Sequence, residues 1–203
     1  MKHETESKAG LPVLGFPSAA HWERWLAAQP LTSKGVWLKL AKKNSGAPSV
    51  SRQEAINGAL CHGWIDGQLQ KYDAAYWLVR FTPRGPKSRW SAVNCRRIEA
   101  LMAEGRVSTA GLEAVAQAKS DGRWEAAYPA QSKAAVPADL QHALAANPAA
   151  ADAFKQLDSA NRYAILYRVH HATKPEARAA KIAQFVDMLA HGGTLHPRKE
   201  RKL

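Results

Sequence analysis

Residues 76–105 read YWLVRFTPRGPKSRWSAVNCRRIEALMAEG, and this run decides the fold class. From Tyr76 to Thr82 the side chains alternate, with Trp77, Val79 and Phe81 on one face and Tyr76, Leu78 and Arg80 on the other. Period-two alternation of β-branched and aromatic residues is the mark of a strand. Pro83 ends it, because proline has no N–H to give to a ladder. Ser91 then has the side chain of a helix N-cap, and a helix runs to Glu104 and stops at Gly105. A strand, a basic loop and a helix in 30 residues imply a chain that mixes sheet and helix.

The same patterns extend outward on both sides. Trp22, Trp25 and Leu26 share one face of a helix that starts after Ser18. Val36, Leu38 and Leu40 alternate with Trp37 and Lys39, which reads as a half-buried strand. Ser51 and Glu54 form a capping box for a helix ending near His62, with Gly63 beyond it. Thr109 to Lys119 is helical. Further on, Pro137 and the pair Asn147-Pro148 each open a helix. Asn161 to His171 carries the stripe Tyr163, Leu166, Tyr167 and His170, which puts His170 in the core and His171 on the surface. Thr173 and Glu176 read as a second capping box, before a helix with Ile182, Phe185, Val186 and Leu189 on one face. The expected fold is α+β and mostly helical: a small antiparallel sheet with helices, followed by a C-terminal helical bundle.

All seven tryptophans lie between Trp22 and Trp124, and the last 79 residues have none. The composition shifts at YPAQSKAAVPADL (128–140), which reads as a linker. The expected division is a flexible N-terminal tail (1–15), an aromatic-rich α+β domain (16–128), a helical domain (136–193) and a basic C-terminal tail (194–203). The 46% hydrophobic and 23% charged content is that of a globular chain. Cys61 and Cys95 stand outside any zinc spacing and read as free thiols of a reducing compartment. No apolar run reaches the ~18 residues of a membrane span. The start MKHETESKAG has no signal character, so the expected compartment is the cytoplasm.

The chain carries 29 Lys+Arg against 17 Asp+Glu, a formal charge of +12, which favours acidic partners. Between Arg80 and Arg106 there are seven basic residues and two Glu. Arg84, Lys87 and Arg89 surround a turn, and Ser88, Ser91 and Asn94 lead into a helix start whose free N–H groups favour an anion. Trp90 offers a stacking surface. In CHGWIDGQ (61–68), Asp66 sits between two glycines. It either stabilises a turn or faces a ligand as the partner of Arg80. The candidate ligand-binding set is therefore Asp66, Arg80, Arg84, Ser88, Trp90, Ser91 and Asn94. The bland reading of the same residues is a solvated basic loop with helix caps. Phosphate-loop, dinucleotide, nucleophile-elbow and metal signatures are missing, so neither a cofactor nor a metal is expected. An enzyme using Asp66 or His62 as acid/base is the alternative. Nucleic acid is a weaker one, because the last helix mixes Arg178 and Lys181 with Glu176 and Asp187.

Five stretches carry a resemblance. WLKLAKKNSG, EAINGALCHGWIDGQ, FTPRGPKSRWSAVN and GLEAVAQAKSDGRW resemble the N-terminal region of the YdeI/OmpD-associated proteins. The run from VPADLQHALAANP at 136 to QFVDMLAHG ending at 192 is similar to their bacteriocin-protection (OmdA-type) domain. The likeness spans about residues 16–193. It implies a bacterial protein tied to tolerance of bacteriocins, antimicrobial peptides or envelope stress. It brings no established reaction, cofactor or catalytic residue. The expected function is binding of a small anionic ligand or a protein partner, with oligomeric state open.

Overall fold

In the computed structural model, which describes residues 6–129 and 134–197, both alternating runs become neighbouring strands of one sheet. The chain divides into two units, Met1–Ala127 and Tyr128–Leu203. The first holds β1 (Ser7–Lys8), β2 (Leu11–Gly15), α1 (Ala19–Ala27), β3 (Val36–Ala41), α2 (Arg52–Cys61), β4 (Trp64–Lys71), β5 (Tyr76–Pro83), α3 (Ala92–Ala103) and α4 (Thr109–Ser120). The second holds α5 (Ala138–Ala145), α6 (Pro148–Lys155), α7 (Ser159–His170) and α8 (Pro175–Ala190). The fold is α+β. Parts of the expected linker (residues 130–133) and of the expected tails (1–5 and 198–203) lie outside the described residues.

The sheet order is β1-β2-β3-β5-β4. It is mixed rather than wholly antiparallel, because α1 carries the chain back so that β2 lies parallel to β3, Val13 opposite Trp37. Residues 7–15, expected in a flexible tail, form the two strands at this edge, and Leu11 and Val13 are buried. That explains Trp37. The alternation puts it on the half-buried side, yet it is 2% exposed. Leu11, Val13 and Leu78 pack against it, and its indole N–H donates to the Lys8 carbonyl at 3.1 Å.

On the other face, α1 and α2 cover Val36, Leu38, Leu40, Val79 and Phe81. Trp22 stacks on Trp25 at 5.3 Å, meets Phe81 edge-on at 5.3 Å, and donates its N–H to the Ala55 carbonyl at 3.0 Å. A buried indole keeps its full hydrophobic contribution only if that N–H finds an acceptor. CHGWIDGQ is not a turn: Gly63 ends α2 with φ +72° and Trp64 starts β4, where a bulge between Asp66 and Leu69 absorbs Gly67.

The Ser51–Glu54 capping box forms as expected, and Ser91, Ser108 and Asn147 cap their helices. The Thr173–Glu176 box does not form. The N-cap is Lys174, with Pro175 in the first turn. In α7 the buried stripe is Asn161, Ala164, Ile165, Leu166 and Val169, so His170 is exposed and His171 half-buried, the reverse of expectation. Asn161 can lie inside because its amide donates to the His196 carbonyl and accepts the His196 N–H at 2.8 Å.

Two glycines test the packing differently. A Cβ on Gly35 (φ +105°) would sit 2.4 Å from the Phe81 carbonyl oxygen, whereas one on Gly105 (φ +68°) meets nothing within 4 Å. Gly105→Ala should cost about 1–2 kcal/mol, the left-handed backbone penalty alone. Gly35→Ala should cost roughly 3 kcal/mol or more, since overpacking adds to it. Urea unfolding midpoints of the two variants measure the difference.

Candidate functional site

The loop between β5 and α3 is built largely from its own polar groups. The Arg84 N–H donates to the Gly63 carbonyl at 2.9 Å, and its guanidinium donates to the Arg89 carbonyl at 3.2 Å. That guanidinium lies 3.6 Å from the centroid of the Trp90 ring, a cation–π contact. Trp90 is 1% exposed and packs on Trp124 at 5.0 Å. Ser88 Oγ accepts the Gly85 N–H at 3.0 Å, and the Ser88 carbonyl accepts from Arg123, itself paired with Asp121. Ser91 Oγ accepts the Asn94 N–H at 3.1 Å and caps α3. Ser88, Ser91 and Asn94 are thus brought together, but through turn and cap bonds. Trp90 is a buried wall and not an open stacking surface.

Asp66 and Arg80 are not brought together. Paired residues of neighbouring strands share a face, and consecutive residues alternate. Asp66 pairs with Phe81 on the helix-covered face, while Arg80 pairs with Trp37 on the opposite one. The partner of Asp66 is Arg52, at 3.6 Å, whose guanidinium also approaches the Trp77 ring. Arg52 was overlooked in the sequence because it reads as the first residue of α2. Arg123 and Trp124, beyond the end of α4, were overlooked too, because turn residues carry no periodic signal.

Arg80 stands out. Its Nε is buried with no hydrogen-bond partner, and among the described residues no carboxylate pairs with it. The Trp90 N–H is likewise buried and unbonded. A buried donor left without an acceptor costs about 1–3 kcal/mol, more if it is charged. Both orphans are donors, so an acceptor-rich group would satisfy either of them.

Burial lowers the His62 pKa, which favours the neutral ring. Among the described residues no hydrogen bond joins His62, Asp66, Ser88 and Ser91 into a nucleophile–base pair. The described residues also hold no group of three His, Cys, Asp or Glu side chains that could grip a metal. Cys61 and Cys95 are free and buried, and burial pushes the Cys95 thiol up to about 11.

In the second unit a groove of about 700 Å³ runs between α5 and α8 over Ala143, Ala179, Ile182, Ala183 and Val186. Arg178 closes one end by donating to both oxygens of Asp139, at 2.5 and 3.0 Å, which holds that carboxyl below its usual range.

Residues 133–192 match the family model described as "Bacteriocin-protection, YdeI or OmpD-Associated". Residues 14–114 match a different one, "Domain of unknown function (DUF8412)". The bacteriocin-protection model thus covers only the later part of residues 16–193, over which the resemblance was expected. No curated protein and no solved structure matches the chain. Among the described residues no helix is long and apolar enough to cross a membrane.

If the loop is self-supporting as described, Trp90→Ala should destabilise by about 3–5 kcal/mol and Ser88→Ala by only about 1 kcal/mol, read from urea unfolding. At pH 8 roughly one part in a thousand of Cys95 would be thiolate. A maleimide or disulfide reagent should therefore label it far more slowly in the native protein than in guanidinium.

Proposed function

We propose that this protein is a non-catalytic binding protein in bacteriocin protection, and that its first unit takes a small anion at Arg80. The protective role is supported by the match of residues 133–192 to the bacteriocin-protection model. The binding role is supported by one observation above the others: Arg80 presents a partly buried guanidinium with no acceptor among the described residues. A charge withdrawn from water without a counter-charge is unfavourable, and a phosphate or carboxylate supplies both the charge and the lone pairs. Trp37, its cross-strand neighbour, is buried beside it and keeps that part of the sheet face apolar. Asp66 has no part in this surface, since it faces the helices with Arg52.

The experiment is a thermal-shift titration with phosphate and citrate at constant ionic strength. A ligand that binds only the folded state raises the midpoint with concentration. The wild-type midpoint should rise with anion, and Arg80→Gln should remove the rise while Arg96→Gln, on the exposed side of α3, keeps it. A wild-type midpoint that ignores the anions, or a rise that survives in Arg80→Gln, rejects the site.

A further inference from the structure

We propose that the cleft bounded by α5, α6 and the start of α7 binds an amphiphilic carboxylate, an apolar chain ending in one acidic head. The cleft measures about 530 Å³, within the roughly 300–1,000 Å³ usual for small-molecule sites. Its floor is apolar. Leu144 of α5 and Phe154 of α6 are core residues, 6% and 4% exposed, and Val136, Ala145 and Ala151 complete it. The small side chains of Ala145 and Ala151 leave the space that larger ones would fill.

The rim carries the opposite chemistry. Its two ionisable groups, Arg162 and Lys155, are both cationic. Lys155 is 3.0 Å from Asp152, but both are well exposed, and such pairs hold a charge only weakly. The Arg162 guanidinium lies 4.6 Å from the Phe154 ring centroid, and among the described residues it has neither an ion pair nor a side-chain hydrogen bond. Its five N–H donors are held at the edge of an apolar floor by the aromatic ring. The α5–α8 groove lacks this combination: its arginine, Arg178, is already taken by Asp139.

The pairing of floor and rim selects the ligand. A neutral hydrocarbon would cover the floor but desolvate Arg162 with nothing to balance it. A bare phosphate would reach the guanidinium but leave Leu144 and Phe154 wet. A chain with a terminal carboxylate does both, lying over Phe154 with its head turned to Arg162 and Lys155. The site lies in the unit that matches the bacteriocin-protection model and does not depend on Arg80.

The test is calorimetric titration of the full chain with decanoate, decanol and inorganic phosphate, each below any micelle-forming concentration. Decanoate should bind with a stoichiometry of one, and decanol and phosphate at least tenfold more weakly. Arg162→Met keeps the apolar stem and removes the charge; it should weaken decanoate at least tenfold. Arg162→Lys should retain most of the affinity. Ala151→Leu, which fills the cleft without touching the charge, should also weaken it and gives an independent reading if Arg162→Met does not fold. All these titrations are made in the Arg80→Gln background, so that an anion taken up on the sheet is not counted and the outcome here is independent of that site. Equal affinity for decanoate and decanol, affinity indifferent to Arg162→Met and Ala151→Leu, or uptake only by anionic vesicles overturns the proposal.

Discussion

The first unit depends on how closely backbone meets backbone at the end of α2. The Cys61 carbonyl accepts both the Ser108 N–H at 3.0 Å and the Ser108 hydroxyl at 2.8 Å. Two residues later the Gly63 carbonyl accepts the Arg84 N–H at 2.9 Å. One turn thus fastens the start of α4 and the loop after β5. The approach is possible only because side chains are missing: a Cβ on Gly111 would lie 2.4 Å from the Cys61 oxygen, and one on Gly63 2.9 Å from the Ala110 oxygen. Helix, strand and basic loop are held in register there, and the Arg84–Trp90–Trp124 stack is built on that anchor.

The positive charge of the chain is less available than its total suggests. Lys39 is paired with Glu6, Arg52 with Asp66, Arg106 with Glu23 and Glu104, Arg123 with Asp121 and Arg178 with Asp139. Such surface pairs add little stability, but they lower the field that a distant anion would feel. Arg80 and Arg162 differ from them in kind. Each is set beside an aromatic side chain, Trp37 across the strands or Phe154 beneath the guanidinium, and neither has a carboxylate among the described residues. Desolvated, uncompensated charge is what recognises an anion at close range.

Strands and helices whose character lay in side-chain period were legible. β3, β5 and most helices follow it, and the caps at Ser51, Ser91 and Asn147 follow from local hydrogen-bond chemistry. Elements defined by partners were not. β2 is five residues containing Pro12 and Gly15, and only its pairing with β3 makes it a strand. β4 hid behind Gly67, which reads as a turn until a bulge is allowed for. The phase of α7 was missed because the polar Asn161 is buried by its bonds to His196, while the large Tyr163 and Tyr167 are only half-buried. In the candidate loop the residue types were legible but their use was not. Ser88, Ser91 and Asn94 suit a ligand and a turn equally well, and only geometry separates the two. The Arg80–Asp66 pair failed on strand parity, a register that cannot be counted before the partner strand is known.

The bulge in β4 has a further effect on how molecules of this protein meet. β4 is one of the two edge strands, and Leu69, just past the irregularity, is 53% exposed. A straight, apolar edge strand invites a neighbouring copy to zip on and extend the ladder, but β4 is bulged and carries Asp66, Gln68, Gln70 and Lys71. The extra residue breaks the even spacing of the unpaired amides and carbonyls, so an incoming strand finds no continuous row of rungs. An exposed leucine on such an irregular border is a weaker invitation to strand pairing than it would be on a regular one.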